Sequence, residues 1–358
     1  MNLEKFFQDV FAVEPGERVL VLTDQPHDEL RDSPAWQDRR RMAGEWRDAF
    51  AGLGARIGFE VLPLVGYPAT GRNNADLPLG AMVDRGRSLE AALDDATLAV
   101  ALTEFSPSAP LAMRSVTVKD FRAATLPGVE RRMEQTALAA DYADVARRCR
   151  ILAGYLRGAH AADVVFATGH RCRFDLRHRE LDLDDGQLPR NRSGMRLINL
   201  PSGEAAQSPY EGEIPGDESR TCGELPALWD GRILALAVER NRIVDVRGPE
   251  PVAGRWRAFF AEDPARANIA EFAFGCNPRA VVTGNVLEDE KAGFHWAYGR
   301  SEHLGGTVGP DAFRSPANVV HQDTVYAKGS PIELASVHLD RADGTRPQII
   351  GAGEYLVF

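Results

Sequence analysis

The stretch EPGERVLVLT, residues 14–23, decides how the first third of the chain folds. It begins with Pro15 and Gly16, which favour a turn, and continues as an apolar run of strand length. Beyond it we predict a helix, a strand, a short helix and a further buried strand, at residues 36–53, 55–65, 89–93 and 96–103. Strands that alternate with helices are typical of a parallel sheet with helices on its faces. The sequence therefore predicts an α/β domain at the N-terminus.

Charge and motifs narrow the class of function. The chain has 358 residues and a formal net charge of −10, from 42 Lys and Arg against 52 Asp and Glu. Such an acidic chain is a poor partner for nucleic acid, because phosphate binding needs an excess of basic side chains. Neither GxGxxG nor GxxxxGKS/T follows the first predicted strand, and no apolar run approaches the ~18 residues of a membrane span. We therefore expect a cytoplasmic protein that binds neither nucleic acid nor membranes.

The hydrophobic pattern changes in the middle of the chain. Apolar residues recur at spacings of three and four between residues 136 and 156, which predicts one long amphipathic helix. Beyond it we predict short strands at residues 162–168, 232–238, 242–246, 268–274, 294–298 and 319–326. About two domains are expected for this length. We place an α/β domain at 1–135, a linking helix at 136–157 and a mainly β (α+β) metal-binding domain at 158–358.

The second half contains side chains of the types that bind metals. Carboxylates and imidazoles are the ligands that zinc, manganese, cobalt and iron accept. His321 and Asp323 are two positions apart in a predicted strand, so their side chains point to the same face and can hold one ion. The full set of candidates is Glu204, Glu271, Glu290, His295, His321 and Asp323.

Glu271 is unusual because it interrupts an apolar strand. A carboxylate is costly to bury without a cation or hydrogen-bond donors. Either the alternation of the strand turns Glu271 towards solvent, or the residue binds a metal. Glu290, in the charged run 288–291, could equally lie in an exposed turn. Spacing alone leaves these alternatives open.

Four ordered motifs resemble those of one protein family. They are NLPSGE at 199–204, AEFAFGCN at 270–277, DEKAGFHWAYG at 289–299 and HQD at 321–323. Motifs of the same types occur in the same order in the metallo-aminopeptidases of the aminopeptidase T and aminopeptidase S type. The resemblance implies a metal-dependent hydrolase of amide or peptide bonds that acts on a short peptide or a small molecule. It also implies a homodimer or a larger closed homo-oligomer.

The ligand positions of that family match this chain residue by residue. The resemblance implies that two divalent ions, of zinc, cobalt or manganese, are held by Glu204, Glu271, His295, His321 and Asp323. Glu290 matches a further acidic position, either a general base or an additional ligand. The chemistry would be hydrolysis, in which the ions lower the pKa of a bound water and polarise the scissile carbonyl.

One catalytic position departs from the family pattern. The family has a tyrosine seven residues after the histidine of the third motif, whereas this chain has Glu302 there, followed by His303. A hydroxyl can donate a hydrogen bond to a developing oxyanion, which an ionised glutamate cannot. We therefore assign the donor role to His303, and Glu302 could bind an amine of the substrate. Alternatively, both are solvated residues of the long loop at 300–318.

A second resemblance defines the alternative function. The segments GCNPRA at 275–280 and GGT at 305–307, together with the length of the chain, resemble the 2,5-dihydroxypyridine dioxygenases. Those enzymes bind one ferrous ion through two histidines and one aspartate. In that family a histidine replaces Glu271, and Glu204 and His295 have no counterpart. This chain keeps all three hydrolase-type residues, which favours hydrolysis. If the protein is instead a dioxygenase, its iron site would be a 2-His-1-carboxylate set of His295, His321 and Asp323.

A third hypothesis is a binding protein without turnover.

Overall fold

Two compact units make up the chain in a computed structural model, which describes residues 1–27, 29–84 and 86–358. The first unit comprises Met1–Ala146, Asp184–Gly203 and Asn277–Val281. The second comprises Arg147–Leu183, Glu204–Cys276 and Val282–Phe358.

The secondary-structure elements alternate at first and become mainly β later. The first eleven are α1 (Leu3–Phe11), β1 (Arg18–Gln25), α2 (Pro34–Ile57), β2 (Glu60–Val61), β3 (Val65–Pro68), β4 (Met82–Asp84), β5 (Arg87–Ser88), α3 (Leu89–Asp94), β6 (Leu98–Thr103), α4 (Ser108–Thr117) and β7 (Arg122–Pro127). The next nine are α5 (Tyr142–Leu156), β8 (Ala159–Phe166), β9 (Arg171–Asp175), β10 (Asp182–Asp184), β11 (Leu197–Asn199), β12 (Glu204–Gln207), β13 (Cys222–Trp229), β14 (Arg232–Glu239) and β15 (Arg242–Arg247). The last eight are α6 (Val252–Glu262), β16 (Ile269–Gly275), α7 (Val286–Asp289), β17 (Phe294–Gly299), β18 (His321–Tyr326), β19 (Leu334–Arg341), β20 (Gln348–Gly351) and β21 (Glu354–Tyr355). Within the described ranges, no helix combines the length and the apolar character that crossing a bilayer requires.

A parallel sheet forms the centre of the first unit. Its strand order is β11-β7-β6-β1-β2, and β3 also pairs with β1. Every pairing in this sheet is parallel. The six central residues of β1 and all six of β6 are buried, as expected for strands that are covered on both faces. The α/β architecture predicted from residues 14–23 and their neighbours is confirmed.

Two predicted elements differ from the structure. The strand predicted at 55–65 is wrong, because α2 continues through Gly54 and ends only where Gly58 adopts a left-handed φ of 97°. Two short strands, β2 and β3, occupy the rest of that segment. The linking helix begins at Tyr142 instead of 136, because the Asp141 side chain accepts the backbone N–H of Ala143 at the helix start.

The predicted division at residues 135 and 157 stays a prediction. In the structure the change from the first unit to the second falls within α5. Residues 184–203 and 277–281 then return to the first unit. A linear reading of the composition cannot show such returns, because they depend on contacts between distant segments.

The second unit contains two antiparallel sheets. One has the order β15-β14-β13-β9-β8-β19-β20-β21, and the other has the order β10-β12-β16-β17-β18. The hairpin predicted from residues 232–246 is β14 and β15. The strands predicted at 162–168, 268–274, 294–298 and 319–326 are confirmed as β8, β16, β17 and β18, with their ends shifted by a few residues.

The five-stranded sheet has one aromatic face, which packs against the eight-stranded sheet. Phe272 of β16 lies 5.1 Å from Phe174 of β9, measured between ring centroids. Tyr326 of β18 lies 4.8 Å from Phe166 of β8. Because successive side chains of a strand point to opposite faces, the alternate residues of β16, β17 and β18 face away from the eight-stranded sheet.

Candidate metal centre

Five predicted ligands project from the face opposite the aromatic residues. Ala297 of β17 lies opposite both Glu271 of β16 and Asp323 of β18, and residues directly opposite each other in antiparallel strands point the same way. His295 precedes Ala297 by two positions, and so shares its face. The registers of β12, β16, β17 and β18 therefore gather Glu204, Glu271, His295, His321 and Asp323 on one side of the sheet.

The first ligand group consists of Glu204, Glu271 and His295, whose ligand atoms lie within 4.8 Å of one another. His295 Nε2 is 3.6 Å from Glu204 Oε2 and 3.7 Å from Glu271 Oε1. These distances are too long for hydrogen bonds, but two ligands of a tetrahedral ion at about 2.1 Å lie roughly 3.4 Å apart. Glu204 Oε2 is also buried without a hydrogen-bond partner. The donor set and this bare oxygen fit a divalent cation.

The second group consists of Glu271, His321 and Asp323. His321 Nε2 lies 3.0 Å from Glu271 Oε2 and 3.6 Å from Asp323 Oδ1. Glu271 thus presents Oε1 to the first group and Oε2 to the second. Of the residues that the structure describes, it alone belongs to both groups.

Backbone carbonyls orient both histidines. His321 Nδ1 is 2.7 Å from the carbonyl oxygen of Arg300, and His295 Nδ1 is 3.2 Å from that of Gly293. A proton on each Nδ1 would donate to these carbonyls, and each Nε2 then faces the carboxylates. This second hydrogen bond is the usual way in which proteins fix a histidine that binds a metal.

In the absence of metal, protons balance the charge of the cluster. Burial alone would raise the pKa of Glu271, but the nearby positive charge of His295 and the hydrogen bond and charge of His321 hold it well below its usual value. Burial disfavours a charged His295, yet Glu271 and the charge of Glu204 raise its pKa to about 9. The pKa of His321 is raised as well, because the negative charge of Asp323 and the hydrogen bond to Glu271 outweigh its burial. Two imidazolium groups therefore occupy the cluster at neutral pH.

We expect the metal-free protein to lose stability as the pH rises from 6 to 9. Because the pKa of about 9 for His295 in the folded chain exceeds the unfolded value of about 6.5, its contribution is complete below pH 6.5 and is lost as the pH rises through about 9. The loss is on the order of 3 kcal/mol. Urea unfolding of chelator-treated protein at the two pH values measures it. Equal free energies of unfolding at pH 6 and pH 9 would contradict this description of the cluster.

The segment that contains Glu290 and Lys291 lies directly against the end of β16. A Cβ atom on Gly275 would come within 2.0 Å of the carbonyl oxygen of Glu290, so only glycine permits this approach. Gly275 pairs with Glu204, and the close approach brings the fully buried Lys291 to that residue. Lys291 Nζ lies 2.7 Å from Glu204 Oε1 and 2.8 Å from Glu290 Oε1. Lys291 is a site residue that the sequence analysis missed, although it stands in the third motif.

Glu290 has the electrostatic character of an acid or base near neutral pH. Its pKa is raised to about 8, first by burial and then by the charges of Glu204 and Asp323, against the opposite effect of Lys291. Asp182 of β10 is a second residue that the sequence analysis missed. Its pKa is raised by loss of solvation and by the charges of Glu204 and Glu271, although the residue is exposed. Its signal in the sequence was the alternation LDLD at 181–184, the same spacing used for His321 and Asp323.

The loop after β17 places its two candidate residues differently. Arg300 Nε donates to both oxygens of Glu302, at 2.7 and 2.8 Å. Glu302 is therefore already paired with a cation, which argues against the role in binding a substrate amine. The ring of His303 packs edge-to-face on that of His321, with centroids 4.8 Å apart. Partial burial and the charge of His321 lower the pKa of His303 to about 4, so it is a neutral imidazole at pH 7.

Comparison with known proteins supports the fold. No family model matches the sequence, and no curated protein is similar to it at the level of sequence. The structure of 2,5-dihydroxypyridine dioxygenase from Pseudomonas putida KT2440 is similar with a TM-score of 0.65 and 19% identity, over 100% of this chain and 98% of that one. Wild-type AmpT from Thermus thermophilus is similar with a TM-score of 0.57 and 18% identity, over 99% of both chains. Both resemblances noted in the sequence are confirmed at the level of the fold.

Proposed function

We propose that this protein is a metal-dependent hydrolase of amide bonds, similar to an aminopeptidase, that works with two divalent ions. The observation that carries the proposal is the position of Glu271, whose two oxygens face two separate ligand groups. A carboxylate shared in this way is suited to bridge two cations. A single ion would use only one of the two groups.

The charges around the cluster support the binding of divalent cations. When ionised, Glu204, Glu271, Glu290 and Asp323 carry four negative charges, and Lys291 contributes one positive charge. The largely buried pocket then has a net charge of about −3. Uncompensated buried charge is costly, so the pocket favours cations.

The residues of this chain have distinct tasks in the proposed reaction. The ions, when bound, would activate a water and polarise the scissile carbonyl. Glu290 lies beside the ligands without belonging to either group, and its pKa of about 8 suits a carboxylate that takes up a proton and returns it to the leaving amine. Lys291 holds Glu204 and Glu290 in place. His303, whose ring packs on that of His321, would donate a hydrogen bond to the developing oxyanion.

Replacement of His303 by alanine is expected to lower kcat by about 10²-fold with a smaller change in KM, as for the loss of one oxyanion donor. The fold should be retained because the side chain is 43% exposed. Steady-state kinetics on an amide substrate of the metal-loaded protein measures the effect. His170, a partly exposed histidine that contacts Thr168 outside the ligand groups, provides the matched control in His170→Ala. Equal kinetics in both variants would remove His303 from the mechanism.

The second candidate function is ring cleavage by a mononuclear iron dioxygenase. It is favoured by one observation, the higher TM-score to the dioxygenase, 0.65 against 0.57 for AmpT. The positions of the candidate ligands favour the hydrolase instead. The iron set considered from the sequence combines His295 with His321 and Asp323, but His295 falls in one ligand group and the other two fall in the second.

Metal analysis of the purified protein together with two activity assays tests the proposal. We expect two zinc, cobalt or manganese ions per chain and release of the N-terminal residue from short peptides. One iron per chain and consumption of oxygen with 2,5-dihydroxypyridine would establish the dioxygenase instead. Two ions without turnover of any peptide or amide would favour the binding protein.

A further inference from the structure

The carboxylate of Glu211 lies outside the ligand groups and accepts hydrogen bonds from the loop that follows β17. The side chain of Glu211 is 6% exposed. Its oxygens accept hydrogen bonds from Ser301 Oγ at 2.5 Å and from Asn268 Nδ2 at 2.7 Å. Thr307 donates both its backbone N–H, at 2.5 Å, and its hydroxyl, at 2.6 Å. Hydrogen bonds to an ionised carboxylate are stronger than those between neutral groups, so Glu211 is a strong anchor.

Hydrogen bonds between Ser301 and Val308 join the two ends of the anchored loop into a ring. The backbone N–H of Ser301 donates to the carbonyl of Val308 at 2.9 Å, and the N–H of Val308 returns to Ser301 Oγ at 3.2 Å. Gly306 donates to the carbonyl of Ser301 at 3.1 Å. A Cβ on Gly306 would lie 2.3 Å from Ser301 Oγ, so the ring leaves no space for a side chain there. Ser301 is the residue that joins this ring to Glu211.

Both contacts of this segment with the metal centre involve His321. The carbonyl of Arg300, directly before Ser301, lies 2.7 Å from His321 Nδ1. His303, two residues after Ser301, packs its ring on the ring of His321. The Arg300 backbone N–H also donates to the carbonyl of Val320, next to His321, at 2.8 Å. A displacement of the loop would therefore change the orientation of His321 before it affected any other ligand.

We propose that Glu211 is a positioning residue for His321, and that it acts by fixing the loop whose Arg300 carbonyl and His303 ring hold that imidazole. The inference rests on the metal site of the proposed function, and it concerns a residue that binds no metal itself. Substitution of groups that orient a metal-bound histidine typically weakens metal binding by about 10- to 100-fold. The effect of Glu211, one step further out, should lie near the lower end of that range.

Cobalt titration of the metal-free protein tests this inference without a substrate, because the visible bands of bound Co²⁺ report affinity and ligand geometry. Glu211→Gln should bind Co²⁺ about tenfold more weakly, with changed bands, and amides 301–308 should exchange faster with deuterium. Thr307→Val removes one hydrogen-bond donor to Glu211, the Thr307 hydroxyl. Because Thr307 is exposed, the variant should fold, and it should bind Co²⁺ about threefold more weakly. Glu224→Gln is the matched control, since Glu224 pairs with Arg247 at the surface, outside the ligand groups, and should behave as wild type.

The outcomes separate this inference from the proposed function. If the wild-type protein binds no Co²⁺, the metal site fails and the positioning role fails with it. If the wild type binds Co²⁺ and both Glu211→Gln and Thr307→Val bind it with unchanged affinity and bands, the positioning role alone is overturned. If Glu211→Gln does not fold, Thr307→Val decides, and wild-type binding and exchange in that variant would overturn the inference.

Discussion

Replacement of Glu271 by glutamine is expected to abolish hydrolysis and to leave the metal centre with at most one ion. Each oxygen of Glu271 faces one ligand group, Oε1 lying 3.7 Å from His295 Nε2 and Oε2 lying 3.0 Å from His321 Nε2. Glutamine replaces one oxygen by an amide nitrogen that cannot bind a cation, and it removes the charge shared between the two ions. We expect a loss of turnover of at least about a thousandfold, equivalent to about 4 kcal/mol in the barrier.

This prediction is tested by measuring both the metal content and the activity of the Glu271→Gln variant. The variant should contain at most one ion per chain where the wild type contains two. Glu224→Gln is the control, because Glu224 lies in β13 and pairs with Arg247 at the surface. Retention of two ions and of activity within about tenfold of wild type would show that Glu271 bridges nothing, and would leave the proposed function without its main support.

The five candidate ligands could be identified from short motifs, and the resemblance implied that they share one site. The strand order that brings them together could not be predicted. Spacing placed His321 and Asp323 on one face of a strand, and the structure shows the same arrangement. The sequence did not reveal that β16 lies between β12 and β17, because strand order depends on pairing between distant segments. That order brings Glu204 and Glu271 together although 67 residues separate them in the sequence.

Glu271 also shows why two alternatives stayed open at the sequence level. Strand alternation does turn its side chain away from the aromatic face, as a solvated residue would require. Yet the residue is only 5% exposed, since other segments cover that face of the sheet. Such coverage is a tertiary property that the period of a single strand cannot reveal.

The charged run 288–291 was harder to interpret, because its residues look like a surface turn. In the structure Glu288 and Lys291 are completely buried. A lysine tolerates this position because it pairs with Glu290 at 2.8 Å and with Glu204, from a strand more than 80 residues earlier, at 2.7 Å. Local composition cannot predict a partner of this kind. The error in the strand predicted at 55–65 has a simpler explanation. Gly54 predicts the end of the preceding helix, but that helix continues to Ile57 and is capped by Gly58.

Replacement of Lys291 by methionine is expected to destabilise the metal-free protein by about 3–5 kcal/mol. Methionine has a similar length and fills the same space, so the change chiefly removes the ammonium group. Glu204 and Glu290 then lose the cation that lies 2.7 and 2.8 Å from their oxygens, while staying largely buried. Removing one partner of a buried ion pair is costly, because the remaining charge must be protonated or left uncompensated.

Metal should rescue this variant, and the rescue distinguishes a site residue from an ordinary buried ion pair. Divalent ions that bind the folded state would supply positive charge next to Glu204, so saturating zinc should restore much of the lost stability. Urea unfolding with and without zinc measures both effects. Lys328→Met is the matched control, since Lys328 is 77% exposed and pairs with Glu354, and it should change the free energy of unfolding by less than about 1 kcal/mol. If Lys291→Met were as stable as this control without metal, the ammonium would play no part in holding the two carboxylates. If its loss were large and zinc did not reduce it, Lys291 would be a structural residue next to a site that no cation enters.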